Sequence, residues 1–253
     1  MTSEPESTSS PPDPRSEPPE EARPAPREPV FNLPAVVLAF LAVCVGLHLV
    51  RMYLLTEEQD FALIVYFSFI PLRYSGGYAL DAFAFVSPWS YSLLHGGFAH
   101  LAVNMVWLAA FGSPLANRIG AARFVAFWLF TSLAAVALHY VLHVGEAAPL
   151  VGASGAISGM MGAAARFGFR IDRRQGKAAF AGRILSIPAV FRSRTAVTFL
   201  AVWMVVNLVT GLGFGAVGGA RIAWEAHIGG FLAGFLLVRP FDRKVLPADH
   251  ERA

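Results

Sequence analysis

Hydrophobic residues in this chain occur in long runs that charged residues rarely interrupt. A transmembrane α-helix needs about 20 such residues, because each residue adds about 1.5 Å across a hydrocarbon core of about 30 Å. The runs predict six spans, at about 33–55, 92–115, 124–142, 154–169, 196–212 and 225–238. The fold class we expect is therefore an all-α membrane protein, a bundle of six transmembrane helices.

Composition and charge also indicate a membrane protein. Hydrophobic residues make up 55% of the 253 residues and charged residues only 15%, which is unlike an ordinary soluble domain. Lysine and arginine concentrate after the second, fourth and sixth runs, and the positive-inside rule then places both termini in the cytoplasm. The sequence has a single cysteine, Cys44, so an intramolecular disulfide cannot form.

Three segments fall outside the predicted spans. Residues 1–30 are rich in Pro, Ser and Glu and contain no aromatic residue, which predicts a disordered tail. The membrane domain then comprises residues 31–240, and residues 241–253 form a second, short tail. Within that domain, residues 56–90 are aromatic but broken by Pro and Gly, which predicts a loop at the membrane interface. A seventh, re-entrant span in this loop is the alternative.

Two predicted spans each carry small residues four positions apart on one helix face: Gly155, Gly159 and Ala163 in the fourth span, and Ala226, Gly230 and Gly234 in the sixth. Small residues at this spacing let two helix backbones approach closely inside a membrane, so we expect these two helices to touch. Ser154 precedes the first strip and His227 lies at the start of the second. Such a pair of helices suggests a Ser–His catalytic pair.

The proton transfer in such a pair would go from Ser154 to His227, which acts as general base and returns the proton to the leaving amine. Glu225 stands two residues from His227 and therefore off its helix face. Because no Asp or Glu is placed to orient the imidazole, we expect a Ser–His dyad without a third member.

Polar residues in the second span could stabilise the negative charge of an acyl-transfer reaction. His100 and Asn104 are four apart and share one face, and both donate hydrogen bonds. With the backbone N–H of Ser154, they are the predicted oxyanion hole. His95 lies on a different face of this predicted span, and both a structural and a gating role stay open for it.

Other chemistries find less support in the sequence. A zinc protease of the His-Glu-x-x-His type is excluded, because that motif does not occur. A metal site made by His95, His100 and His227 stays open as a minor alternative. No Asp lies within a predicted span, as an aspartyl intramembrane protease would require. We expect no metal or organic cofactor and no nucleic-acid partner.

Three short motifs occur in order along residues 87–239: HGGFAHLAVN at 95–104, GASG at 152–155 and AHIGGFLAG at 226–234. Together they resemble the rhomboid intramembrane serine proteases. The resemblance implies a six-helix core with Ser154 as nucleophile, His227 as general base, and His100 and Asn104 in the oxyanion hole. It also implies single-pass membrane proteins as substrates, with the fifth span as a lateral gate and residues 56–90 beside the substrate entrance.

Two positions depart from the family pattern. Val86 and Ser87 stand where many members have a Trp-Arg pair, and Ser158 stands where an aromatic residue often supports the histidine ring. Two other functions remain as alternatives: a catalytically inactive relative that binds transmembrane helices, and a small-solute transporter. We expect a multi-pass protein of a bacterial inner (plasma) membrane, surrounded by lipid.

Overall fold

The computed structural model describes residues 33–174, 176–212 and 223–242. The predicted tails, apart from residues 241–242, lie outside these residues. So does the glycine-rich loop expected between the fifth and sixth spans, residues 213–219.

The described residues are mostly helical. Their α-helices are α1 (Ala35–Tyr53), α2 (Glu57–Phe67), α3 (Ala82–Ser90), α4 (Phe98–Trp107), α5 (Ser113–Ile119), α6 (Ala121–Leu142), α7 (Ser154–Arg166), α8 (Ile187–Arg192), α9 (Arg194–Gly211) and α10 (Trp224–Leu237). A π-helical turn, Leu108–Gly112, joins α4 and α5 into one helical segment. Strands β1 (Ile171–Asp172) and β2 (Ala179–Phe180) pair antiparallel between α7 and α8.

Four helical segments of the described chain are long and apolar enough to cross a membrane. They are Ala35–Tyr53, Phe98–Ile119, Ala121–Leu142 and Arg194–Gly211. These segments correspond to the predicted first, second, third and fifth spans. The expected class, a helical membrane bundle, is thereby confirmed.

The fourth and sixth predicted spans correspond to shorter helices. α7 has 13 residues and α10 has 14, fewer than the roughly 20 that cross a bilayer unaided. Every residue of α7 after Ser154 is buried, so protein rather than lipid surrounds this helix. The predicted fourth span begins where α7 begins and continues three residues beyond its end at Arg166. The count of six spans stays a prediction.

The expected contact between the two strips of small residues is confirmed. A Cβ atom on Gly230 would overlap the carbonyl group of Gly155, and one on Gly234 would overlap that of Gly159. The other side of α10 packs as closely on α6, where a Cβ on Gly229 would lie 2.7 Å from a backbone carbonyl oxygen. Helix α10 is therefore held between α6 and α7 by backbone contacts on both sides.

Two expectations about element boundaries are wrong. Helix α4, which corresponds to the second predicted span, begins at Phe98. His95 therefore precedes this helix and does not lie on one of its faces. The fourth span was predicted to run to residue 169, but α7 ends at Arg166, whose buried side chain donates from Nη1 to the Phe235 carbonyl oxygen at 2.6 Å. The segment between α7 and α9, where no span was predicted, contains the β-hairpin and α8.

Candidate active site

Ser154 is the first residue of α7, directly after a turn that only glycine suits. Gly152 has φ +130°, and a Cβ there would lie 2.8 Å from His100 Nε2. The glycine thus gives the left-handed backbone and lets the His100 ring reach the start of α7. Because Ser154 is at a helix N-terminus, the first-turn N–H groups and the positive end of the helix dipole lie beside its hydroxyl.

Ser154 and His227 meet across the contact between α7 and α10. His227 Nε2 lies 2.8 Å from Ser154 Oγ, a hydrogen bond between residues 73 positions apart in the chain. The close approach of the two backbones is the reason that these short side chains can touch. The pairing inferred from two strips of small residues is present in the geometry.

A third residue, which sequence reasoning missed, completes this chain of hydrogen bonds. Asn207 Oδ1 lies 2.6 Å from His227 Nδ1. The Asn207 Nδ2 group donates to the Trp203 carbonyl oxygen at 2.7 Å, and this bond fixes which amide atom faces the histidine. Since a carbonyl oxygen only accepts, His227 Nδ1 must carry the proton. Its Nε2 is then left with the lone pair that accepts from the Ser154 hydroxyl.

Asn207 comes from a helix that is otherwise mostly exposed. In α9 only Ala196 and Asn207 are buried. The sequence feature that could have identified Asn207 is its position as a single amide in the apolar run that forms α9. A polar side chain in such a run needs a partner inside the protein. The expectation of a dyad with no orienting residue therefore needs correction, because an amide takes the place where a carboxylate was sought.

His100 and Asn104, the predicted oxyanion-hole residues, differ in how they are placed. His100 Nδ1 accepts from the Gly96 backbone N–H at 3.4 Å, so Nε2, which faces Gly152, carries the hydrogen. Asn104 is buried one turn further along α4, and its Nδ2 donates to the His100 carbonyl oxygen at 3.0 Å. That bond uses one of the two amide hydrogens. His100 therefore lies beside Ser154, and Asn104 lies behind it on the same helix face.

His95 lies next to this site in a buried position before α4. Its ring packs edge-on against the His100 ring, with centroids 5.2 Å apart. Its carbonyl oxygen accepts from Arg51 Nη1 at 2.7 Å, and Arg51 also pairs with Asp60 at 2.6 Å. These contacts connect the loop before α4 to α1 and α2, as a structural residue would; the gating alternative stays a prediction.

Among the described residues, His95, His100 and His227 do not form a group of neighbouring metal-ligating side chains. The group that does form consists of His139, His143 and Glu225. Glu225 Oε1 lies 2.8 Å from His139 Nδ1, so its carboxylate faces α6 and not the His227 ring. This agrees with the placement of Glu225 off the His227 face.

Comparisons with known proteins bear on the whole bundle. A family model described as the Rhomboid domain matches residues 82–243, more than half of the chain. RHOMBOID-like protein 5 of Arabidopsis thaliana is 30% identical over 153 residues, which are 58% of this chain and 42% of that protein. The chain thus spans less than half the length of that relative. With its multi-pass helical bundle, this chain belongs to the rhomboid family.

Proposed function

We propose that this protein is an intramembrane serine protease that hydrolyses peptide bonds of transmembrane substrates. The observation that supports the proposal is the continuous hydrogen-bond chain from Asn207 through His227 to Ser154. A serine is a poor nucleophile unless a base accepts its proton. An imidazole with its proton on Nδ1 and its lone pair toward the hydroxyl is the base that this reaction needs.

In the proposed reaction, Ser154 Oγ attacks the scissile carbonyl carbon while its proton passes to His227 Nε2. The oxygen of the resulting tetrahedral intermediate carries a negative charge, and the Nε2–H of His100, the amide of Asn104 and the Ser154 backbone N–H stabilise it. When the intermediate collapses, the C–N bond breaks and His227 gives the proton to the leaving amine. A water molecule, deprotonated by His227, then hydrolyses the acyl-enzyme ester.

Asn207 has a defined part in this mechanism. Its Oδ1 accepts from Nδ1–H, so the ring keeps the tautomer and the orientation in which Nε2 faces Ser154. A neutral amide cannot stabilise the imidazolium as strongly as a carboxylate would, and its contribution is mainly orientation. We therefore assign Asn207 as a positioning residue for His227. Because Ser158 offers no aromatic ring to support the imidazole, we assign that orienting role to this hydrogen bond.

The proposed substrates are single-pass membrane proteins that reach the site through the lipid, with no nucleic-acid partner. The weak burial of α9 supports an entrance on its side of the bundle, because few side chains would have to separate. The distribution of Lys and Arg supports cytoplasmic termini, with Ser154 near the opposite face of the membrane. A bacterial inner membrane stays a prediction.

The direct test is labelling of the detergent-solubilised protein by a fluorophosphonate, compared with Ser154→Ala and His227→Ala. The proposal predicts labelling of the wild type and loss of labelling in both variants, with unchanged size-exclusion profiles. Absence of wild-type labelling, where a known serine hydrolase reacts in the same detergent, would contradict the proposal. That result would favour the inactive helix-binding alternative.

A further inference from the structure

A second cluster of functional side chains lies where the end of α6 meets the start of α10. His139 lies in the last turn of α6, His143 directly follows that helix as its C-cap residue, and Glu225 is in the first turn of α10. Glu225 Oε1 lies 2.8 Å from His139 Nδ1 and 2.8 Å from His143 Nε2. The three ligand atoms all lie within 4.8 Å of one another. None of these residues has a part in the proposed proteolysis.

We propose that this cluster is a Zn²⁺ site, with His139 Nδ1, His143 Nε2 and Glu225 Oε1 as ligands. Two imidazole nitrogens and one carboxylate oxygen, with a fourth position for water, form a donor set that zinc accepts in proteins. Each histidine has a ring nitrogen 2.8 Å from the same carboxylate oxygen, so the three ligand atoms already lie close together. A zinc ion bonded at about 2.0–2.2 Å to each ligand would replace the proton between His139 Nδ1 and Glu225 Oε1, after a small outward movement of the side chains.

The surroundings of His143 fit a metal ligand in a second way. Its other ring nitrogen, Nδ1, lies 2.9 Å from Glu146 Oε1. A carboxylate at this distance can accept the remaining ring N–H of a metal-bound histidine and thereby fix the ring, although the described side chains do not form that hydrogen bond. The two imidazole rings also lie nearly parallel, with centroids 4.5 Å apart and an interplanar angle of 29°. Both rings are thus held with their ligand nitrogens toward Glu225.

Burial is favourable for a site that exchanges metal with solvent. The side chains of His139 and Glu225 are 9% and 5% exposed, whereas that of His143 is 28% exposed. A metal ion would enter on the His143 side and become enclosed by the other two ligands. Once bound, it would connect the end of α6 to the start of α10, two residues before His227. We therefore expect zinc to raise the thermal stability of the bundle.

The experiment is a zinc titration of the full-length, detergent-solubilised protein after removal of metals with a chelator, followed by calorimetry. The expected result is one zinc per chain, a rise in the thermal unfolding midpoint, and loss of both effects in His139→Gln and His143→Gln. Glu146→Gln should keep the site and weaken it less than either histidine variant, because Glu146 is not a ligand and its side chain is 57% exposed. Because His143 is partly exposed, His143→Gln is the ligand variant least prone to misfold.

Two controls separate this site from other binding. His100→Gln removes a histidine near Ser154, and Glu57→Gln removes an acidic residue of α2; both should bind zinc like the wild type. Titration with Co²⁺ gives a readout that does not need a variant, because four-coordinate cobalt has strong visible absorption that the hexaaqua ion lacks. Absence of saturable zinc binding by the wild type, or equal binding by His143→Gln, would overturn the proposal. Neither readout depends on whether the protein is a protease.

Discussion

Replacing Asn207 by alanine removes the hydrogen-bond acceptor of His227 Nδ1 without touching Ser154. Asn207 is 5% exposed, so bulk water has little access to the hydrogen-bonding position that the substitution leaves empty. Trp203 and His227 each lose a partner, but the backbone contacts that place α10 against α7 are unchanged. The perturbation therefore acts on the tautomer and orientation of the base rather than on the distance between the helices.

The expected decrease in kcat follows from leaving the buried Nδ1–H of His227 without a hydrogen-bond partner. A buried N–H without a partner costs about 1–3 kcal/mol, and the Nδ1–H of His227 must persist through the transition state. If all of this cost falls on the transition state, kcat decreases about 5- to 150-fold, since about 1.4 kcal/mol corresponds to a factor of ten. KM should change little, because Asn207 lies behind the histidine and away from the bound substrate.

The assay compares kcat and KM on a transmembrane substrate, and the rate of fluorophosphonate labelling, for wild type and Asn207→Ala. Asn207→Asp keeps an acceptor oxygen and should recover most of the labelling rate. Thr210→Ala is the matched control on the same helix, because the Thr210 hydroxyl bonds only to backbone carbonyl oxygens of α9, those of Val206 and Asn207, and leaves the Asn207 amide in place. An unchanged kcat in a folded Asn207→Ala protein would refute the positioning role. So would an equal loss in Thr210→Ala, since that would point to α9 as a whole.

Three further predictions concern other parts of the molecule. Asn104→Ala should leave the protein folded and lower kcat by about 100-fold or more if its amide donates to the oxyanion; unchanged turnover would remove it from the oxyanion hole. Gly234→Leu should lower the thermal unfolding midpoint far more than Gly46→Leu. A Cβ at residue 234 overlaps the backbone of α7, whereas a Cβ at residue 46 meets nothing within 4 Å. Equal effects of the two would contradict the close contact of α7 and α10. In cells, and in a background without the native cysteine, Ala147→Cys should react with a membrane-impermeant thiol reagent and Arg174→Cys should not; the reverse pattern would contradict cytoplasmic termini.

The features best predicted from sequence are those that depend on residue size at helical spacing. Glycines four apart in two runs can satisfy close packing only if another backbone occupies the space, and Gly155 and Gly159 do meet Gly230 and Gly234. That contact carries Ser154 and His227 with it. Their pairing could therefore be inferred before any motif was considered.

Features that depend on which distant elements meet could not be predicted in the same way. Asn207 lies 20 residues from His227 in the chain, and no local spacing relates an amide in one helix to an imidazole in the next. The predicted fourth span also ran three residues beyond the end of α7 at Arg166, because hydropathy records how apolar a segment is and not whether protein or lipid surrounds it. The spacing of His139 and His143 was visible, but their convergence with Glu225 requires the packed ends of α6 and α10.

The placement of His227 divides into two physically separate parts. Its distance to Ser154 is determined by backbone contacts of α10 with α6 and α7, where glycines leave no room for adjustment. Its tautomer and ring orientation depend on Asn207, which belongs to the weakly buried α9. Under the proposed mechanism, movement of α9 would therefore change how well His227 accepts the Ser154 proton, while the distance between α7 and α10 stays constant. Substitutions of the α10 glycines should then mainly lower the stability of the fold, and substitutions of Asn207 should mainly lower kcat.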